Sequence, residues 1–386
     1  MKIRLRLNNV MAIKYLKPSL LTAALMLASS GQAHANYVFT DLGTLGGRYS
    51  SAQGINNAGQ VVGYASTSGS SQHHATLWSG GTVTDLGTLG GRYSSAQGIN
   101  NVGQVVGYAY TTGDAQPRTT LWNGGAITDL GTIGGKYSFA YGINNVGQVV
   151  GVSSATGDAT EHATLWSGGT VTDLGTLGGS SSRAIGINNA GKVVGFSDTM
   201  GNMLHHATLW SSGTIIDLGT LGGSYSWAQG INNAGQVAGT AFTKGDAQVH
   251  ATVWNGTTAT DLGTLGGNYS WAYGINNAAQ VVGIARTTGN VEDHATLWNG
   301  TTATDLNTFL SNSDVSDGWV LTEATSINDK GWIVGKANNS KTGESHAYLL
   351  STVTAVPEPE AYAMFLAGLG VMGAIARRRK QISLAA

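Results

Sequence analysis

The chain has 386 residues, of which 58 are glycine and none is cysteine, so disulfide frameworks and thiol chemistry are excluded and packing alone must hold the fold. Nine of the 20 basic residues and two of the 21 acids lie in the two end segments, which leaves the body 11 bases against 19 acids. An acidic, sparsely charged body excludes a nucleic-acid partner, which would need a basic footprint.

The first element, residues 1–35, reads as a secretory signal peptide. Lys2, Arg4, Arg6, Lys14 and Lys17 form a basic start, and LLTAALMLA (20–28) is an apolar stretch too short for a membrane-spanning helix. Ala33-His34-Ala35 then offers small residues for cleavage between Ala35 and Asn36. Met1 and Met11 are both usable starts, because the segment from Met11 onward is a sufficient signal alone.

From Asp41 the sequence repeats. DLGTLGGRYSSAQGINN occupies 41–57 and returns unchanged at 85–101, and related starts follow at Asp129, Asp173, Asp217, Asp261 and Asp305. Within the first unit, AQGIN (52–56) is a short strand that stops at Asn56-Asn57-Ala58-Gly59, a hairpin signal. QVVGYA (60–65) is a second strand, HATLW (74–78) a third, and Ser79-Gly80-Gly81 turns into TVTDL (82–86), a fourth. No segment has helical spacing, and four antiparallel strands in about 44 residues is the size of one β-propeller blade. Inner strands are expected at Ile55, Ile99, Ile143, Ile187, Ile231, Ile275 and Ile327. The last unit ends at HAYLL (346–350) without an outer strand, whereas YVFTDL (37–42) supplies one early. The predicted fold is therefore all-β: a seven-bladed β-propeller over 36–353, its closing blade shared between the N- and C-terminal strands, which hides a sheet edge. A β-solenoid is the alternative.

The motifs His-Ala-Thr-Leu-Trp, Asp-Leu-Gly-Thr-Leu-Gly-Gly and Gly-Ile-Asn-Asn-x-Gly-Gln-Val-Val-Gly resemble those of the HAF family of extracellular repeats across 37–350. That resemblance implies an exported, repeat-built protein, often with a sorting tail and without an established catalytic role.

His74, His162, His206, His250, His294 and His346 share one station of the repeat, with Arg118 in the remaining unit. On a third strand they stand at least ~9.6 Å from the axis, so neighbouring copies are more than ~8 Å apart and cannot share a metal. They are expected instead to brace each blade by hydrogen bonds, together with the Thr and Trp of HATLW and the Asp of TDLG. This would resemble the network of WD-repeat blades. Trp78 and its copies are expected in the packing between blades. Neither a metal nor a cofactor is expected.

The copies differ in the loop after the second strand, as in STSGSSQHH (66–74) and SDTMGNMLHH (197–206), while the NNAG-type turns on the other face are nearly constant. They also differ just before each inner strand, at Ser51, Ser95, Phe139, Arg183, Trp227, Trp271 and Glu323. Tyr225 and Tyr269 sit two residues before the two tryptophans. Flat aromatic faces beside a few polar groups suit a pyranose, so Arg183, Trp227, Trp271 and Glu323, with Phe139, Tyr225 and Tyr269, form the candidate patch for a glycan (an exopolysaccharide) or a surface protein. Blade-end capping is the alternative role. The body glutamates Glu161, Glu292, Glu323 and Glu344 lie in separate units, and no nucleophile elbow or zinc-protease motif occurs. A non-catalytic protein is expected, with a purely structural envelope protein or a polysaccharide-active enzyme as the alternatives.

The last element, 354–386, opens with Val356-Pro357-Glu358-Pro359, continues as an apolar run over 361–376 and ends in Arg377, Arg378, Arg379 and Lys380. Sixteen residues span roughly 24 Å as a helix, short of the ~30 Å hydrocarbon core. The order of the three parts resembles the PEP-CTERM sorting signal of Gram-negative bacteria. That implies a partner, an exosortase-type enzyme, transient retention in the inner membrane as a transmembrane helix, and delivery to the envelope surface or outside. A plain C-terminal anchor is the alternative.

Overall fold

In the computed structural model, residues 37–352 apart from 70, 71 and 203 are described. The segments read as signal peptide, apolar run and sorting tail lie outside the described residues, as do Ala35, Asn36, Pro357, Glu358, Pro359 and Arg377–Arg379. Among the described residues no helix is long and apolar enough to cross a membrane.

Every repeat folds into four antiparallel strands. In the first these are Gly46–Ile55, Val61–Thr67, His73–Ser79 and Thr82–Asp85. Antiparallel pairing throughout each unit departs from the parallel rungs of a β-solenoid. The last unit carries an insertion, a 3-10 turn at Leu306–Phe309 and a short helix at Asn312–Ser316 capped by Ser311. Its strands are Trp319–Ile327, Ile333–Asn339 and Ser345–Thr352, and its fourth is Tyr37–Asp41, paired antiparallel from Tyr37↔Thr352 to Asp41↔Tyr348. The chain's first strand thus completes its last sheet.

The inner strand starts earlier than its apolar residues suggest, at Gly46 instead of Ala52. The Thr44 hydroxyl donates to Gly47 O (2.8 Å) and accepts from Gly46 N (3.1 Å), which folds the Gly-Gly pair back onto the second strand. Gly46 holds φ +95, open to glycine and costly for other residues. Gly63 answers a different demand: a Cβ there would lie 2.0 Å from Ser51 O, because the two strands cross closely at the bulge.

Sheets pack face to face through small residues. Ala52, Val61, Ala65 and Trp78 of one sheet meet Val334 and Ala347 of the sheet before it, and the same set recurs around the molecule. Alanine at the inner-strand station is fully buried in each unit (Ala52, Ala96, Ala140, Ala184, Ala228, Ala272, Ala324), which lets the sheets converge near the axis.

The turns after the inner strands close the circuit. The buried Asn56 side chain accepts from Ala58 N and Gln60 N within its own turn. Its Nδ2 also donates to Asn100 O in the next unit (3.1 Å). Asn100 reaches Asn144, then Asn188, Asn232, Asn276 and Asn328 follow, and Asn328 Nδ2 donates to Asn56 O at 3.0 Å. A second circuit runs outside it: Asn57 N donates to Asn101 Oδ1 (2.9 Å), and the series ends with Asp329 N donating to Asn57 Oδ1 (3.0 Å). No sheet closes on itself; these side chains join the first unit to the last.

Candidate functional site

The histidine station forms a repeated ion-pair geometry. Nδ1 of His74, His162, His206, His250, His294 and His346 donates to Asp85, Asp173, Asp217, Asp261, Asp305 and Asp41 at 2.6–2.8 Å. Arg118 replaces histidine with Nε 3.0 Å from Asp129. The other aspartate oxygen caps the following loop, as Asp85 Oδ1 does for Gly87 N (2.8 Å). The next sheet joins in: the Ser94 hydroxyl accepts from Ala75 N and donates to Gly87 O. Thr76 bonds only to the carbonyl of His74. The tryptophan does not take part. The indole nitrogens of Trp78, Trp122, Trp210, Trp254 and Trp298 have no hydrogen-bond partner, and Trp166 meets Gly131 O at 3.3 Å. The ring sits in the apolar cluster between sheets. Among the described residues no group of three or more His, Asp or Glu could hold a metal ion.

The variable station lies opposite the second strand, and its cross-strand partners vary with it: Ser51↔Tyr64, Ser95↔Tyr108, Phe139↔Val152, Arg183↔Phe196, Trp227↔Thr240, Trp271↔Ile284 and Glu323↔Lys336. Small residues in the first two units face tyrosine, which is complementation of volume across one ladder. Tyr225, Trp227 and Trp271 form a ladder of near-parallel rings, with centroids 6.1 and 6.0 Å apart. Phe139 lies elsewhere, edge-on to Tyr108 at 5.0 Å. Arg183 turns to Glu161, with Nε at 3.0 Å and a terminal nitrogen at 2.6 Å, and Tyr137 donates to the same carboxylate (3.1 Å). Tyr269 donates to Asp293 (2.5 Å), which Arg286 Nε also meets at 3.0 Å. The seven candidate residues therefore share one layer but divide into separate contacts.

One of these contacts is open. A cavity of about 600 Å³ lies between the sixth unit and the last, lined by Tyr273, Ile284, Glu292, Asp293, Val320, Thr322, Glu323, Lys336, Asn338 and Ser340. Ile284, on its wall, is the cross-strand partner of Trp271. Burial raises the Glu323 carboxyl above its usual range, and the charge of Lys336 offsets part of that. Burial likewise raises the Tyr273 hydroxyl, helped by the charges of Glu323, Tyr269 and Asp293. A second cavity, about 540 Å³, follows the axis past Gln53, Gln97, Tyr141, Ile185, Gln229, Tyr273 and Thr325, with Arg183 and Glu323 also on its wall.

Asp293, Tyr141, Tyr273 and Lys336 belong to this layer and escaped the sequence reading, and Glu161, weighed there only as a catalytic carboxylate, belongs to it as the partner of Arg183. Their signal was present in the aligned repeats: Glu161 and Asp293 precede the conserved-looking His where His73 and His205 stand in other units, and Tyr141 and Tyr273 replace the Gln of AQGI.

Residues 355–380 match the PEP-CTERM protein-sorting motif. A motif of this kind marks a chain for export to the cell envelope in Gram-negative bacteria and for recognition by an exosortase-type sorting enzyme. No curated protein matches the chain. Among solved structures, TolB from Acinetobacter baumannii is similar over 76% of this chain, at 10% identity and a TM-score of 0.43, and the match spans 63% of that structure's own length.

Proposed function

We propose that this chain is an exported, non-catalytic repeat protein of the cell surface or extracellular matrix. In this reading it is a seven-bladed propeller of HAF type that binds a glycan, an exopolysaccharide, through its variable-loop face. The cavity lined by Tyr273, Ile284 and Glu323 carries the reading. Its volume lies within the ordinary range of ligand sites. Its wall combines the ring of Tyr273 and the apolar Ile284 and Val320 with the hydroxyls of Thr322 and Ser340, the amide of Asn338 and several carboxyls. Sugar rings need that mixture, an apolar face to stack on and fixed groups for their hydroxyls. Trp227 stacks on Trp271, whose cross-strand partner Ile284 lines the cavity.

Glycan-array binding of the purified protein tests this, followed by titration of the best ligand into Trp271→Ala, Asn338→Ala and the Trp227→Ala/Trp271→Ala pair. Affinity about tenfold lower or worse in the first two is expected, since one lost stacking or hydrogen-bonding partner is worth roughly 1–2 kcal/mol. Unchanged binding in all three rejects the site, and no binding to any glycan favours a purely structural envelope protein. A raised Glu323 carboxyl sharing the cavity with Asp293 favours a second reading, glycoside hydrolysis by an acid and a carboxylate. Release of reducing ends from a bound polysaccharide, lost in Glu323→Gln, would select it.

A further inference from the structure

The cavity between the sixth unit and the last carries more acid than base. Glu292, Asp293 and Glu323 line it against one cation, Lys336. Glu323 lies across the ladder from Lys336, yet among the described residues its carboxyl has no hydrogen bond or ion pair. Asp293 is partnered on one oxygen only: Oδ1 accepts from the Tyr269 hydroxyl (2.5 Å) and from Arg286 Nε (3.0 Å), and Oδ2 stays open. Glu292 turns Oε2 to His294 Nε2 (3.2 Å) and leaves Oε1 open. Four carboxyl oxygens of the lining therefore lack a donor. The hydroxyls beside them are spent on carbonyls, Thr322 on Lys336 O (3.2 Å) and Ser340 on Gly318 O (3.1 Å). The acids do not converge on a metal site, so their charge is spread along the wall.

We propose, resting on the glycan reading above, that the sugar selected by this cavity carries a free amine, as glucosamine does, and that uronate-bearing chains are refused. An ammonium brings three donors and a positive charge, which answers the open carboxyl oxygens. A hydroxyl brings one donor and no charge. Acetylation of the amine removes the charge and leaves a single N–H. The ring that carries the amine still finds an apolar wall in Tyr273, Ile284 and Val320.

The cations nearby do not reverse this preference. Arg286 is committed to Asp293, and His294 is shared between Asp305 and Glu292. Lys336 alone opposes the acids, and its charge offsets only part of what burial does to the Glu323 carboxyl. A second cation held beside Glu323 would restore its ionised form. A uronate would instead place a fourth carboxylate among three, a repulsive element as selective as any new contact.

Isothermal titration of the full-length protein with oligomers of glucosamine, N-acetylglucosamine, glucose and glucuronate tests this. The glucosamine oligomer is expected to bind about tenfold tighter or more than the N-acetylated one, the scale of a charge-assisted bond, and the glucuronate oligomer weakest. Glu323→Gln and Glu292→Gln each keep the side chain's shape and remove one charge, and each should cut that preference several-fold. Asp329→Asn removes a charge on the asparagine-turn face and installs the residue found there in the other units, so it should leave the preference unchanged. Equal binding of the neutral and amino oligomers, or tighter binding of glucuronate, overturns the amine assignment and leaves a glycan site in place. A preference that survives both glutamine variants, or falls as much in Asp329→Asn, belongs to the acidity of the whole body and overturns it too. Binding of none of the four overturns the inference, and the glycan array decides the broader reading separately.

Discussion

At the residue scale, the natural exchange of His for Arg118 shows what the aspartate station requires. Arg118 keeps the bond to Asp129 and adds one to Lys136 O (3.0 Å), so a donor of suitable reach suffices and the imidazole itself does not. His206→Arg should therefore melt within about 0.5 kcal/mol of the parent, whereas His206→Ala should lose about 1 kcal/mol, the worth of a partly exposed charge-assisted bond. Denaturant unfolding of the two variants checks this, and equal losses would deny the bond a role. Proton linkage gives a second expectation. The hydrogen bond to Asp41 raises the His346 imidazole above its usual 6.5, burial opposes it, and the charges of Asp41 and Glu344 add to the rise. For His294 burial is the largest influence and pulls downward, but Asp305 and Glu292 together outweigh it. The folded state thus holds these protons more tightly than the unfolded one. Their stabilisation is complete below about pH 6.5 and fades as pH climbs through the raised values. Thermal melts from about pH 6 to 8.5 should fall in midpoint, and the fall should shrink in a His294→Gln/His346→Gln double variant. The brace was legible in the sequence because its spacing repeats. The exclusion of tryptophan was not, since a buried indole without a hydrogen-bond partner looks the same in sequence as a hydrogen-bonded one.

At the scale of elements, the shared closing sheet was legible because YVFTDL matches an outer strand and the last unit lacks one. The extent of the inner strand was not, because the Gly-Gly pair that extends it is elsewhere a loop signal and becomes strand only where a second strand holds it. The site layer was half legible. The variable station stood out in the repeats, but its cross-strand partners on the second strand decide which residues meet, and pairing register is not written in either strand alone. The closing strand also carries a prediction. Phe39 packs on Trp319 and Tyr348, with centroids 5.7 and 6.3 Å away, and Tyr37 packs on Phe309 at 4.8 Å. Deleting 37–41 removes two half-buried aromatic residues packed against the core and leaves Ser345–Thr352 as an unpaired edge. Full burial of such a side chain is worth roughly 1.5–3 kcal/mol and Tyr37 and Phe39 are half-buried, so a loss of about 2–3 kcal/mol is expected, with concentration-dependent association through the bared edge. A synthetic peptide of the deleted sequence, added in excess, should restore the melting point. Failure of the peptide to bind, measured by fluorescence anisotropy, would mean that the strand matters only through its covalent connection.

At the scale of the whole molecule, the asparagine circuits distinguish a closed assembly from a stack with two ends. In a linear array the terminal repeat has a neighbour on one side only, and the same substitution costs less there than in the middle. In a closed circuit no repeat is terminal. Asn188 donates to Asn232 O (3.1 Å) while its Oδ1 accepts from Ala190 N and Lys192 N, and it is buried. Asn328, in the last unit, makes the same three bonds, to Asn56 O and from Lys330 N and Trp332 N, and is equally buried. Asn188→Ala and Asn328→Ala each remove one interunit bond and leave two partly exposed backbone amides without their side-chain acceptor, at a cost of about 1–3 kcal/mol. The closed circuit requires the two costs to agree within about 0.5 kcal/mol, because their environments are equivalent and share no partner. An open stack would leave Asn328 Nδ2 without the Asn56 carbonyl, and its replacement would then be cheaper by about 1 kcal/mol, the net value of one bond. Chemical denaturation of the two variants measures the difference directly, and a double variant that deviates from additivity would show that strain at one station is carried around the circuit to the other.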